Sequence, residues 1–138
     1  MRLGAAKSPK GAAPRREQML YERARSVVMR QAFPQIEQLR IELTFADTRT
    51  LPLSPQVHTL YSGAVAFFRF ACPCADCDGD FDLAQAVTAL AKSGAITSRG
   101  RLACSGTRRD RPPGSTACAI RLEYRLTSIQ AQAHLELP

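Results

Sequence analysis

The chain has 138 residues, 45% of them apolar, and a net charge of +7, which suits one domain with a single modest core. No run approaches the ~18–20 apolar residues of a membrane span, and the basic first sixteen residues lack the apolar stretch a secretory signal needs. Five cysteines, an odd number with no such signal, argue against a disulfide framework and place the protein in a reducing compartment, the cytoplasm.

The charge is unevenly spread. Residues 1–30 hold eight Lys/Arg against two Glu, while 31–138 are close to balance. Residues 1–14 are small, Gly- and Pro-bearing and poor in large apolar side chains. They bury too little surface to offset the entropy of ordering and are expected as a disordered basic arm; one α+β domain is expected over 15–138. From Arg15 the spacing predicts a helix with Leu20, Ala24, Val27, Val28 and Gln31 on one face, ending near Phe33-Pro34 because Pro disfavours helical geometry before it. Arg16, Arg23 and Arg30, seven apart, line the opposite side.

Leu39, Ile41, Leu43 and Phe45 alternate with polar residues and predict a half-buried strand. Residues 46–63 read as a long connection carrying His58. That histidine, like His134, has no matching partner and reads as a surface or packing residue. Ala64 to Ala71 is dense in β-formers. A helix follows from about Leu83, with Asp80 or Asp82 as its N-cap and Gly94 as its stop. Residues 95–104 and 117–126 predict two more strands, joined by the polar loop 105–115 (SGTRRDRPPGS). The tail from Ser128 is either a short edge strand or disordered.

The segment Cys72-Pro-Cys-Ala-Asp-Cys77 holds three of the five cysteines; Cys104 and Cys118 lie on the arms of the later hairpin. Four thiolates supplied as two pairs from two turns are what a structural zinc site requires. The second pair is Cys104 with Cys118. The first is Cys72 with Cys77, or Cys74 with Cys77. The former is preferred, since Cys74 follows a Pro inside the turn. Reduced, buried cysteines acting as small hydrophobes are the plainer alternative, but crowding among Asp76, Asp78 and Asp80 is a poor setting for burial.

Strand, cysteine turn, helix and Cys-bearing hairpin together resemble a zinc-ribbon-like module of a small bacterial protein, over about residues 64–127, with a helix inserted between the metal-binding halves. The resemblance implies one zinc ion and carries no activity. The acid run 76–82 does not fit a calcium loop, because Phe81 stands where the invariant Gly belongs. A thiol-dependent redox or metal-handling protein is the rival: Cys74-x-x-Cys77 has dithiol spacing, yet the neighbouring Asp residues oppose thiolate formation.

The expectation is therefore a small, mostly antiparallel sheet with an N-terminal helix and a second helix between two Cys-bearing turns. Its function is non-catalytic: a zinc-binding module contacting nucleic acid or an acidic partner. Arg15, Arg16, Arg23 and Arg30 at one end and Arg108, Arg109 and Arg111 in the loop are the candidate contacts. A structural subunit that is basic for solubility alone is a third reading.

Overall fold

The computed structural model describes residues 12–47, 55–74, 77–108 and 116–130. In chain order the elements are α1 (Ala12–Ala24), α2 (Met29–Ala32), β1 (Ile36–Asp47), β2 (Gln56–Tyr61), β3 (Arg69–Ala71), β4 (Asp80–Asp82), α3 (Ala84–Ser93), β5 (Thr97–Ala103), β6 (Thr107–Arg108), β7 (Thr116–Ala117) and β8 (Ile120–Gln130). The fold is α+β. Its main sheet has the order β2-β1-β8-β5 with every pair antiparallel, and two short hairpins, β3–β4 and β6–β7, stand apart from it.

The alternation in β1 does what its period dictates. Leu39, Ile41, Leu43 and Phe45 are fully buried, facing inward beside Leu122 and Leu126 of β8. Fully burying each such side chain contributes about 1.5–3 kcal/mol. On the same side lie Phe68, Phe81 and Leu83, with Val87 and Leu90 of α3 and Met29 of α2; the Phe45 and Phe81 rings tilt together at 5.5 Å. Helix α3 stops at Gly94, whose φ of +70° is the left-handed geometry glycine adopts without penalty.

Several expectations need correction. The first helix starts at Ala12, and it does not run on to Phe33: it breaks after Ala24, and α2 is a separate turn. Val28 is extended and forms a β-bridge with Val65. The Ala66 N–H donates to the Val27 carbonyl and the Met29 N–H to the Ala64 carbonyl, both at 2.7 Å. Two adjacent β-branched valines favour this strand-like pairing over a helical turn. The expected apolar face is consequently exposed at Leu20, Ala24, Val27 and Gln31, and Met29 is buried instead.

The connection 46–63 contains a strand, β2, whose His58 and Leu60 are half-buried against β1. Of the expected strand 64–71 only Arg69–Ala71 belongs to a strand, with Val65 in the isolated bridge to Val28. The tail continues β8 to Gln130 at the centre of the sheet; Ser128 is buried, and its N–H donates to the Ile96 carbonyl. The arm 1–11, the loop residues 109–115 and the end of the chain from 131, with His134, lie outside the described residues. No helix among the described residues is long and apolar enough to cross a membrane.

Candidate metal centre

Two loops face each other at one end of the fold. The first, 72–79, closes the β3–β4 hairpin; the second joins β5 to the β6–β7 hairpin, whose other arm leads into β8. Pairing of Ala71 with Asp80 leaves Cys72 just beyond the end of β3. Pairing of Ala103 with Arg121 brings Cys104 and Cys118 to the same end of β5 and β8, and the Cys104 N–H donates to the Ile120 carbonyl.

The Sγ atoms of Cys72, Cys77, Cys104 and Cys118 all lie within 4.8 Å of one another, and all four residues are buried. Cys77 and Cys104 are 3.5 Å apart at sulfur, and Cys72 and Cys118 are 3.7 Å apart. Disulfide sulfurs would sit at about 2.05 Å. A tetrahedron of thiolates around one ion with bonds of ~2.3 Å spaces its sulfurs by roughly 3.8 Å, close to these separations. A multi-iron cluster would hold its cysteines further apart. Cys74 stands outside the group and is half-buried. Among the described residues, no histidine or carboxylate joins the four sulfurs.

The loops repeat one design. Gly79 N–H points to the Cys77 sulfur and Gly106 N–H to the Cys104 sulfur, each at 3.3 Å. The Cys72 N–H donates to the Gly79 carbonyl and the Cys118 N–H to the Gly106 carbonyl, each at 3.1 Å. Each loop's glycine then lies against the other loop. A Cβ on Gly79 would fall 2.5 Å from the Cys104 sulfur and 2.8 Å from the Gly106 nitrogen; one on Gly106 would fall 2.8 Å from the Cys77 sulfur and would also meet the Gly79 backbone. Asp78 completes the join, its carboxylate accepting the Thr107 N–H at 2.9 Å. The doubled Cys-x-Gly at 77–79 and 104–106 is the sequence signal that spacing between cysteines alone overlooks.

Burial pushes the Cys77 thiol up to about 12 and raises Cys72 and Cys104 as well. At Cys118 burial acts in the same direction, but hydrogen bonds from the Ile120 N–H and the neighbouring thiols outweigh it, and its pKa falls. The metal-free group thus keeps most of its protons near neutral pH. A divalent cation would make four buried thiolates tolerable.

The arginines separate into two sets. Arg16 donates to the carbonyls of Cys72 and Cys74, at 2.9 and 3.0 Å, so α1 is fastened to the first cysteine loop. Arg15 reaches Asp80 at 3.5 Å, and Arg69 joins Asp80, at 2.8 Å, to Glu22 of α1. The Asp80 hydrogen bond raises the Arg69 pKa further. Arg23 and Arg30 are exposed. Arg108 lies on β6, while Arg109 and Arg111 are outside the described residues. Of the acid run, Asp82 accepts the Ala84 N–H at 2.9 Å at the start of α3; Asp80 belongs to β4 and serves the arginines.

Truncating Arg16 tests this fastening. Hydrogen bonds from a charged donor contribute about 1.5–3 kcal/mol when buried and less when half-exposed as here. Arg16→Ala is expected to lower stability by about 1–2 kcal/mol and to speed amide exchange in α1, with the metal content unchanged.

His58 lies on β2 with its ring 5.0 Å from that of Phe70, beside a cavity of about 460 Å³ between α1, β2 and residues 65–71. Burial, with Arg23 nearby, lowers its pKa and favours the neutral ring. No family model, curated protein or solved structure matches the chain. The class is therefore defined by the site itself: an α+β domain in which four buried cysteines on two facing loops can hold a metal ion.

Proposed function

We propose that Cys72, Cys77, Cys104 and Cys118 hold one zinc ion, and that the protein is a non-catalytic, zinc-stabilised module that binds nucleic acid or an acidic macromolecular surface. The observation that carries the metal reading is the convergence of four buried sulfurs from two like-built loops, at separations suited to a tetrahedron. Zinc suits an all-thiolate set and has no redox chemistry of its own. Four protein ligands leave no open position for water or substrate, so the ion's role is to hold the loops together. Through Arg16 and the Arg69 bridge, it also fixes where α1 sits. The rival thiol-redox reading is disfavoured at Cys77, because burial raises its pKa and reactive thiols need the reverse.

Support for a polyanionic partner is the charge: +7 overall, concentrated in residues 1–30, with Arg23 and Arg30 exposed and Arg108, Arg109 and Arg111 following the Cys104 loop. Steep weakening of binding with salt is the expected signature.

Native mass spectrometry with thiol titration tests the metal. One zinc per chain and one fast-reacting thiol, Cys74, are expected before chelation, and five reactive thiols after it. A metal-free protein with five accessible thiols from the outset would overturn the reading. Since the three raised thiols are protonated without metal and ionised with it, loading at pH 7 is expected to release at least three protons, about three to four in all. Zinc affinity accordingly falls as pH is lowered. Calorimetry in buffers of different ionisation enthalpy measures both effects.

A further inference from the structure

One face of the main sheet forms the core; the other carries charge. Arginines occupy outward positions on three neighbouring strands: Arg40 on β1, Arg121 and Arg125 on β8, Arg99 and Arg101 on β5, and all five are exposed. The carboxylates at these outward positions are Glu42 and Glu123. Each already has a partner, Arg40 at 3.6 Å and Arg101 at 3.5 Å. Arg99, Arg121 and Arg125 form no ion pair with a carboxylate among the described residues; Arg99 stands directly opposite Arg125 in the β5–β8 register, and the carboxylate opposite Arg125 on β1, Glu42, is held by Arg40.

Like charges facing across a strand pair cost stability, commonly a few tenths to ~1 kcal/mol. A bound anion between the two guanidinium groups would reverse the sign of that term. Beside them, Arg101, Arg121, the small Ala103 and Glu123, whose carboxylate Arg101 holds, surround a recess of about 250 Å³ on β5 and β8. Guanidinium groups match phosphate oxygens two at a time. Tyr61, on the β2 edge, is the single aromatic among the outward positions, so the face offers charge without a platform for stacking bases.

We infer that this face of the β2-β1-β8-β5 sheet binds the phosphodiester backbone of nucleic acid without regard to base sequence, through Arg99, Arg121 and Arg125. The inference deepens the polyanion part of the proposal above by giving it a surface distinct from the arm and the loop; it does not depend on the metal.

The test uses the full-length, metal-loaded chain and fluorescence anisotropy with a labelled mixed-sequence DNA duplex and its single strand. Arg99→Gln/Arg125→Gln is expected to weaken binding about tenfold at 50 mM salt. It should also flatten the log–log salt slope by about 1.8 for the duplex and about 1.4 for the single strand. Its melting temperature should change little, because relief of the Arg99–Arg125 repulsion offsets the loss of Arg125 from opposite Glu42. Arg23→Gln/Arg30→Gln should retain affinity within about threefold. If that second variant and a loop variant (Arg108, Arg109 and Arg111 to Gln) lose binding while the sheet variant keeps it, the inference fails and the broader polyanion reading stands. Absence of binding by the unaltered protein at 50 mM salt would overturn both. Poly-glutamate competing as well as the oligonucleotide would point to an acidic protein surface and overturn the nucleic-acid assignment.

Discussion

Cys104→Ser is expected to purify without stoichiometric zinc and to lose its cooperative thermal transition, while Cys74→Ser keeps both. The contrast follows from placement. Cys104 is one of the four converging sulfurs, 3.5 Å from that of Cys77 and accepting from the Gly106 N–H; Cys74 lies outside the four. Structural zinc contributes about 10–16 kcal/mol of apparent binding free energy in small domains, as large as the whole usual net stability of about 5–15 kcal/mol. Removing one ligand leaves three thiols in a buried pocket with no stable way to ionise. Metal analysis with a melting curve in the presence and absence of chelator reads the result. A Cys104→Ser protein that retains zinc and melts like the parent would contradict the four-thiolate assignment.

Gly106→Ala should do nearly as much damage with no sulfur touched. The added Cβ would meet Gly79 nitrogen and Cα and come within 2.8 Å of the Cys77 sulfur. Those neighbours are backbone and a candidate ligand, neither of which can swing aside, so the loops must part. Overpacking usually costs about 1–3 kcal/mol, and here the separation of the sulfurs adds to it. The expected outcome is a destabilisation of about 3 kcal/mol or more, with zinc affinity lowered. Denaturant unfolding of the metal-loaded protein measures the first and chelator competition the second. Gly79→Ala, whose Cβ would meet the Cys104 sulfur at 2.5 Å, should behave alike, and similar losses from the two glycines would show that the loops act as a pair.

The sequence by itself determined the parts whose signal is local. The period of two in 39–45 and 117–126 marked strands because side chains alternate faces, although the second, β8, begins only at Ile120, after Cys118. The apolar spacing of α3 with Gly94 marked a helix and its stop. The crowding of Cys72, Cys74 and Cys77 pointed to a ligand turn whatever the rest of the chain did. The tertiary structure decided whatever depended on partners distant in the chain. Val27–Val28 left the helix because residues 64–66 offer them backbone partners. Gln56–Tyr61 became a strand because β1 presents a free edge there. Cys72 stands in the group, with Cys74 outside it, because the β3–β4 register sets where the loop begins. The roles of Gly79 and Gly106 exist only where two loops, 27 residues apart at Cys77 and Cys104, come into contact. Arg16 reads as one more charge on a helical stripe until α1 is laid against the carbonyls of Cys72 and Cys74. Periodicity reports which face of an element is apolar. Which neighbour that face or charge meets is settled by long-range pairing, whose free energy depends on residues no local window contains.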